Sequence, residues 1–388
     1  MFEPKNGFEF LEELQNKTGK KVQSYSTFSK YLDTKAREKG IPIFGQFELT
    51  PLCNFDCKMC YVHLNADQLT DHKVLSVETW KNLISQAFEA GMISATLSGG
   101  ECLTYPGFEE LYLFLRNLGC ELSVMTNGFL LNDQRIDFFK KHMPAEIKIT
   151  LYGCNDDVYE RVTGCRALSV VKNNICKAIE AGLPISLSIT PSIYLGEDVF
   201  ETIRIARDIT KQISVNPSLF VPREETGRSE QKDDLDADFY ISIYKYLNEL
   251  NGIETKKIDI DKLPPIGGTL RECDKCGLKC GGGRSGFTIN WKGVLMPCNR
   301  LEMISAYPLK IGFKNAWDKI NQEANRWPRV PECEGCAYQE VCLNCAANML
   351  QYAKPGKQPV GLCERTKYFV HQGVKLLKEC DPPMLRNT

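Results

Sequence analysis

Between residues 43 and 220, short apolar runs rich in β-branched side chains alternate with amphipathic stretches. The amphipathic stretches predict helices, and one of them has Ser76 at its start as a cap and Gly91 at its end. Because parallel strands need a long crossover, usually a helix, this alternation predicts a parallel sheet covered by helices. It fits either a doubly wound sheet or an open partial barrel. The predicted strands lie at 43–50, 95–100, 121–127, 146–152, 184–190 and 213–220.

The alternation stops near Pro264 and Pro265, and a glycine pair and a cysteine-dense region follow. We therefore place a domain boundary at about residue 265. Residues 1–42 are predicted to form a helical N-terminal extension, 43–265 the α/β domain, and 266–388 a second domain that contains ten cysteines. Periodicity is weak in this second domain, so we expect bound metal to stabilise it more than a large apolar core does.

Charge and hydropathy exclude several classes of partner. The chain has 48 basic and 49 acidic side chains, a balance that favours neither nucleic acid nor an anionic membrane surface. No apolar run approaches the roughly 20 residues that cross a bilayer. The N-terminus, MFEPKNGFEFLEEL, lacks the basic start and apolar stretch of a signal peptide. We expect a cytoplasmic protein that binds neither nucleic acid nor a membrane.

Cysteine is unusually frequent, with 18 cysteines against four histidines. The cytosol keeps thiols reduced, so disulfides are a poor explanation. Clustered cysteines inside cells more often bind metal. Since so few histidines are present, the composition favours sulfur-only ligation, either iron–sulfur clusters or all-cysteine zinc sites.

Three cysteines, Cys53, Cys57 and Cys60, directly follow the first predicted strand. In parallel α/β folds, chemistry lies at the carboxyl ends of strands. A four-iron cluster held by three thiolates leaves one iron without a protein ligand, and such an open position lets a metal engage a substrate. The alternative is a structural zinc loop, for which His63 is the nearest candidate as a fourth ligand.

The sequence CNFDCKMCY resembles the signature loop of the radical S-adenosylmethionine (radical SAM) superfamily, in which C-x3-C-x2-C is followed by an aromatic residue. In that superfamily the amino and carboxylate groups of S-adenosylmethionine chelate the open iron of a [4Fe–4S] cluster. Reductive cleavage then yields a 5′-deoxyadenosyl radical that abstracts hydrogen from the substrate. The resemblance implies an enzyme with a partial (β/α)6 TIM-like barrel and an electron donor such as flavodoxin or ferredoxin.

The resemblance also implies which residues contact S-adenosylmethionine. LSGGE at 97–101 ends the second strand and resembles the family's GGE motif, whose glycines permit a close backbone approach. A guanidinium suits a carboxylate geometrically. For each residue an ordinary strand-end or core role is the alternative. The predicted contacts are Tyr61 near the adenine, Gly99, Gly100 and Glu101 at the amino group, Asn127 at the end of strand three, Thr150 and Arg161 at the carboxylate, and Ser188 at the ribose.

The second domain resembles the SPASM extension of peptide- and protein-modifying radical SAM enzymes, which carries two auxiliary [4Fe–4S] clusters. Its pattern is Cys280-x12-Gly293-x4-Cys298, Cys333-x2-Cys336-x5-Cys342-x2-Cys345 and then Cys363. One departure is that two residues separate Cys342 from Cys345, where the family has three. The alternative is a pair of zinc knuckles in a noncatalytic binding protein. The implied ligands are Cys280, Cys298, Cys345 and either Cys273 or Cys276 for auxiliary cluster I, and Cys333, Cys336, Cys342 and Cys363 for auxiliary cluster II.

The SPASM resemblance implies a ribosomally made precursor peptide as substrate. The implied modification is a thioether or carbon–carbon crosslink, an epimerisation or an oxidation. Sulfatase-maturing relatives, which form formylglycine, carry an acid directly after the cysteine equivalent to Cys298, but Asn299 stands here. An amide cannot accept a proton at neutral pH, so we favour a peptide maturase. A separate leader-binding protein or the N-terminal helix is expected to hold any leader. The sequence assigns no catalytic acid or base.

Overall fold

The computed structural model describes residues 25–69, 74–216, 223, 226, 235–252, 278, 280–334, 336–338, 342 and 345–372. Several sequence predictions lie outside these residues: the domain boundary near residue 265, the first 24 residues of the N-terminal extension, and the ligand candidates Cys273 and Cys276. Within the described part of the chain, every helix is too short or too polar to cross a membrane.

In the described residues, eight strands form one sheet in the order β6-β5-β4-β3-β2-β1-β7-β8. Strands β1 to β7 pair in parallel, and β8 is antiparallel to β7. Each of the six predicted strands is present, whereas β7 and β8 were not predicted. The strands are β1 (Phe44–Glu48), β2 (Ser94–Ser98), β3 (Glu121–Thr126), β4 (Glu146–Thr150), β5 (Ile185–Ile189), β6 (Ile213–Val215), β7 (Gly286–Ile289) and β8 (Leu295–Met296).

Helices follow the strands as predicted. The Ser76 hydroxyl accepts the Thr79 backbone N–H at 3.2 Å at the start of the first crossover helix, and Gly91 with φ 118° follows its end. The helices are α1 (Tyr25–Lys39), α2 (Val77–Glu89), α3 (Phe108–Asn117), α4 (Asp133–Lys141), α5 (Asp156–Thr163), α6 (Leu168–Glu180), α7 (Asp198–Ile209), α8 (Ala237–Leu250), α9 (Pro308–Ile311), α10 (Phe313–Asn325), α11 (Ala346–Met349) and α12 (Val360–His371).

The strand order decides between the two architectures that periodicity left open. Strands β1 to β6 lie side by side in sequence order. Because crossovers between parallel strands are right-handed, a sequential order puts every crossover helix on the same face of the sheet. A doubly wound sheet reverses its order and has helices on both faces. The fold is therefore the predicted partial barrel.

The two faces of the sheet differ in character. On the helix-covered face the side chains are apolar and buried; the Phe47 ring, for example, packs edge-on against Trp80 of α2 at 6.0 Å. The other face, which we call the inner face, carries polar side chains that keep partial contact with solvent, such as Gln46, Thr96 and Ser186. In a closed TIM barrel bulky apolar side chains fill the interior. Here the inner face is a polar surface.

Strand β7 joins the cysteine-rich segment to the α/β sheet. Residues Phe44–Phe47 of β1 pair in parallel with Gly286–Ile289. The Phe287 ring packs against Phe313 at 5.1 Å and Trp317 at 6.1 Å, both on α10. This segment therefore extends the sheet on the far side of β1, next to the strand that leads into the three-cysteine loop.

Candidate active site

The three-cysteine loop leaves the carboxyl end of β1 and is fastened to α5. The Asp56 N–H donates to the Thr163 carbonyl at 2.9 Å, and the Lys58 N–H donates to the Val162 carbonyl at 3.0 Å. Cys57 is buried, and Cys53 and Cys60 are half-buried. The loop is thus a fixed structure in which three thiols follow one strand end.

Backbone and amide N–H groups point at the sulfur atoms of this loop. The Phe55 N–H lies 3.4 Å from Cys53 Sγ, the His63 N–H lies 3.3 Å from Cys60 Sγ, and the Asn127 side-chain amide lies 3.7 Å from Cys53 Sγ. Burial raises the pKa of the Cys53 thiol to about 12. A bound metal deprotonates a ligating thiol outright, and N–H donors then stabilise the thiolate. The donor set fits a metal cluster held by three thiolates.

His63 has polar partners near the loop. Its ring Nε2 lies 3.1 Å from Asn65 Oδ1 and 3.7 Å from Asp56 Oδ1. That nitrogen thus faces an amide and a carboxylate.

The GGE segment at the end of β2 packs against the backbone that enters the loop. A Cβ on Gly99 would lie 2.5 Å from the Thr50 carbonyl oxygen, and one on Gly100 would lie 2.5 Å from the oxygens of Leu52 and Pro51. The Gly100 N–H donates to Thr50 at 2.7 Å. The close approach expected at these glycines is therefore, in the described structure, an approach to the chain's own backbone.

Glu101 ties the end of β2 to the end of β3. Its carboxylate accepts the Asn127 N–H at 2.7 Å, the Leu103 N–H at 3.0 Å and the Thr126 hydroxyl at 2.8 Å. The side chain is buried, which raises the pKa of Glu101, and these hydrogen bonds oppose that rise. Its contact with a cofactor amino group stays a prediction.

Asn127, Thr150 and Ser188 lie on neighbouring strand ends. The Asn127 side-chain amide donates to Asn54 Oδ1 at 2.8 Å, so it bridges the end of β3 to the three-cysteine loop. Thr150 of β4 and Ser188 of β5 are cross-strand partners, and both are half-buried on the inner face. These three predicted residues are therefore brought to the same edge of the sheet as the loop.

Arg161 points elsewhere in the described structure. Its guanidinium forms an ion pair with Asp198 and donates to the Tyr194 carbonyl at 2.8 Å and the Leu195 carbonyl at 3.3 Å. These partners lie on the segment from β5 to α7. A role for Arg161 at a cofactor carboxylate stays a prediction.

Tyr61 belongs to a buried polar network that the sequence did not reveal. Its hydroxyl donates to the Glu48 carboxylate at 3.1 Å and accepts the Asn299 side-chain amide at 2.9 Å. The Arg223 guanidinium lies 5.3 Å from the centre of the Tyr61 ring and forms ion pairs with Glu48 and Glu302. Burial and the Glu48 charge hold the pKa of Tyr61 well above its usual range. The network, which we call the Glu48 network, connects β1, the loop and the segment after Cys298.

Tyr152 was not predicted from the sequence. It follows β4, and its ring packs edge-on against Phe55 at 6.2 Å and Tyr159 at 6.0 Å. Burial raises the pKa of Tyr152, and negative charge on any of the three loop cysteines raises it further. These aromatic rings form one wall of the thiol site. No spacing rule connects residues 55, 152 and 159, so only the fold could bring them together.

The cysteines of the second segment fall into two groups in space. In the first group, burial raises the pKa of Cys298 to about 12, and the neighbouring thiols of Cys280 and Cys345 act in the same direction. In the second, burial raises the pKa of Cys342, and Cys363, Cys333 and Cys336 raise it further. The Thr366 hydroxyl donates to Cys342 Sγ at 3.5 Å. Cys345 thus neighbours Cys280 and Cys298 despite its shortened spacing.

The cysteines within each of these two groups are not arranged as the ligands of a single metal ion. Among the described residues, no three His, Cys, Asp or Glu side chains are arranged to hold a single metal ion. The two groups nevertheless match, member for member, the described ligands that the resemblance implies for the two auxiliary clusters.

Comparison with protein-family models matches residues 47–218 to the model described as the Radical SAM superfamily. Two relatives cover most of the chain. The AdoMet-dependent heme synthase of Methanosarcina barkeri is 23% identical over 331 residues, covering 80% of this chain and 92% of the relative. The PqqA peptide cyclase of Bradyrhizobium diazoefficiens is 24% identical over 316 residues, covering 78% of this chain and 80% of the relative.

Solved structures share the fold of this chain. The crystal structure of Streptococcus suis SuiB bound to S-adenosylmethionine has a TM-score of 0.67 at 15% identity, covering 92% of this chain and 87% of SuiB. SuiB bound to precursor peptide SuiA has a TM-score of 0.60, covering 88% of this chain and 82% of SuiB. At this identity the likeness is one of fold, and it extends over the sheet and the cysteine-rich segment.

Proposed function

We propose that this chain is a radical SAM enzyme that modifies a peptide, because residues 47–218 match the Radical SAM superfamily model. The observation that carries the proposal is the three-thiol loop at the end of β1, with N–H donors aimed at its sulfurs. The similarity to PqqA peptide cyclase and the fold shared with SuiB, which has been crystallised with a precursor peptide, support a peptide as substrate.

Cys53, Cys57 and Cys60 would hold a [4Fe–4S] cluster whose fourth iron takes S-adenosylmethionine. When bound and reduced, this group supplies a 5′-deoxyadenosyl radical that abstracts hydrogen from the substrate. The protein's part is to position the reactants and to exclude water. The aromatic wall of Phe55, Tyr152 and Tyr159 covers one side of the thiols.

The strand ends supply the fixed frame for the cofactor. Glu101 locks β2 to β3 through Asn127, and Asn127 in turn reaches the loop through Asn54. Thr150 and Ser188 present adjacent hydroxyls on β4 and β5. We propose that Asn127, Thr150 and Ser188 contact S-adenosylmethionine, with Gly99, Gly100 and Glu101 at its amino group. Tyr61, held by Glu48 and Asn299, would pack beside the adenine.

The cysteine-rich segment would hold two auxiliary [4Fe–4S] clusters, each bound by one of the two thiol groups. Auxiliary clusters of this kind are adaptable electron carriers whose potentials respond to hydrogen bonds and burial. One such hydrogen bond is that from Thr366 to Cys342. We propose that this segment accepts the surplus electron of the reaction or helps to bind the peptide, with Cys273 or Cys276 completing the first cluster.

The test is anaerobic reconstitution with iron and sulfide, followed by dithionite and S-adenosylmethionine. We expect 5′-deoxyadenosine from the wild-type chain and none from Cys57→Ala, which should keep the auxiliary iron. Cys120→Ala is the matched control, because Cys120 is a buried thiol at the start of β3 and far from the proposed clusters in sequence. Absence of 5′-deoxyadenosine from the reconstituted wild type would contradict the proposal.

A second candidate, a heme precursor as substrate, is favoured by the relative from Methanosarcina barkeri, of which this chain covers 92%. Mass spectrometry of peptides coexpressed with this chain, from short reading frames beside its gene, separates the candidates. A mass change or crosslink in such a peptide supports peptide modification. Turnover of a heme precursor with unchanged peptides would support the second candidate.

A further inference from the structure

The inner face of the sheet carries a cation that nothing else in the site explains. Lys148 lies on β4, two residues before Thr150, which is proposed to contact S-adenosylmethionine. Its neighbours on the strand, Ile147 and Ile149, are fully buried on the helix-covered face. Because side chains alternate along a strand, Lys148 belongs to the inner face, where it is half-buried.

The register of the sheet gives Lys148 two cross-strand neighbours. Met125 of β3 pairs with it on one side and Ser186 of β5 on the other. Met125 is more exposed than any other residue of its strand. A hydroxyl, a thioether and an ammonium thus share one level of the inner face, one side-chain layer below Thr150 and Ser188.

Two carboxylates near this level have partners other than Lys148. Glu48 is paired with Arg223, and Glu146 accepts the Ser186 hydroxyl at 2.5 Å. Lys148 has no hydrogen bond or ion pair with any residue that the structure describes. A half-buried ammonium that donates to no described group of the protein keeps its three donors for an anionic ligand.

We propose that Lys148 is a binding site for a carboxylate of the substrate, and this inference rests on the proposed function. An ammonium offers three donors and a full positive charge, and its charge-assisted hydrogen bonds to a carboxylate are stronger than neutral ones. The carboxylate comes either from an acidic side chain or from the C-terminus of the peptide. The polar inner face would admit the peptide, and Lys148 would fix its depth beneath the cofactor.

Binding at Lys148 can be measured without turnover. Lysines of the reconstituted protein are reductively methylated with 13C-formaldehyde, which preserves their charge, and the Lys148 resonance is assigned as the one that Lys148→Arg removes. Three probes are titrated: acetyl-glutamate amide for a side-chain carboxylate, acetyl-glutamine for a terminal carboxylate, and acetyl-glutamine amide as the neutral control. Lys172, exposed on α6, is the reference lysine and is assigned with Lys172→Arg.

We expect the Lys148 resonance to shift saturably with one or both acids. The apparent Kd of the bound acid should be at least about fivefold lower than that of the neutral amide. The Lys172 resonance should show no saturable shift. The acid that binds more tightly identifies the source of the carboxylate. Equal responses to all three probes, or a Lys148 resonance that does not respond, would overturn the inference. Formation of 5′-deoxyadenosine by the unmethylated preparation tests the proposed function separately, because the titration needs no turnover.

Discussion

Arg223 contacts the fully buried carboxylate of Glu48 through an ion pair between Nη1 and Oε2 at 2.8 Å and a hydrogen bond from Nη2 to Oε1 at 3.1 Å. Arg223 lies in the segment after β6, whereas Glu48 ends β1, the strand that leads into the three-cysteine loop. Burial opposes the charge on Arg223, but Glu48 and Glu302 raise the pKa of its guanidinium. The pair therefore holds distant parts of the chain at one place.

Removing one partner of this pair should be costly, because the other charge remains buried. We expect Glu48→Gln to lower the free energy of unfolding by about 3 kcal/mol, near the lower end of the range for buried pairs, since Glu302 still neutralises Arg223. Anaerobic urea unfolding followed by circular dichroism measures the change. The matched control is Glu201→Gln, which breaks the exposed pair with Arg204 and should cost less than about 1 kcal/mol. Equal losses in the two variants would refute the role given to Glu48.

The Tyr61 hydroxyl constrains what can replace Asn299. The hydroxyl donates to Glu48, so it has only lone pairs left for Asn299, whose amide supplies the donor. Asn299→Asp removes that donor and places a second carboxylate beside Glu48. We expect it to lower the unfolding free energy by about 2 kcal/mol, and by more than Asn299→Ala does. Urea unfolding of the three chains gives the ranking.

The reverse ranking, with Asp more stable than Ala, would mean that the site accepts an acid after Cys298, as in sulfatase-maturing relatives. A mass-spectrometric assay for formylglycine in a cysteine-containing peptide would then be the next measurement.

The sequence predicted the parts of the fold that follow from local patterns. All six strands of the partial barrel coincide with β-branched apolar runs, and the cap at Ser76 forms as expected. Strands β7 and β8 were missed because they are short and lie in a cysteine-rich segment without strong alternation. The choice of a barrel over a doubly wound sheet needed the strand order, which periodicity does not contain.

The residues of the candidate site also differ in how far the sequence could predict them. Cys53, Cys57 and Cys60 are close in sequence, so their spacing was informative. The grouping of Cys345 with Cys280 and Cys298 followed only from the family resemblance, and the structure brings these thiols together. The Glu48–Arg223 pair joins residues 175 positions apart. The sequence around each residue does not indicate a buried ion pair, because glutamate on a strand and arginine in a charged segment are typically solvent-exposed.

The end of β2 should not tolerate a side chain at Gly100. An added Cβ would lie 2.5 Å from two backbone oxygens, and backbone cannot rotate away as a flexible side chain can. We expect Gly100→Ala to lower the unfolding free energy by about 3 kcal/mol. The control is Gly119→Ala, where nothing lies within 4 Å of the added Cβ and only the positive φ of 82° is penalised, by about 1 kcal/mol. Similar losses at both positions would show that the contact with the loop backbone does not matter.

The second thiol group gives a prediction that iron analysis can check. Cys342 neighbours Cys333, Cys336 and Cys363, and it accepts the Thr366 hydroxyl. If these four thiolates hold one four-iron cluster, Cys342→Ala should reduce the iron from about twelve to about eight atoms per reconstituted chain.

The proposed ligands Cys280 and Cys345 belong to the other group, so Cys280→Ala should also lose about four atoms, and the double variant should lose about eight. Cys120→Ala, which removes a buried thiol outside both groups, should keep its full iron. Loss of all auxiliary iron from either single variant would contradict two separate clusters, and unchanged iron in Cys342→Ala would remove Cys342 from the ligand set.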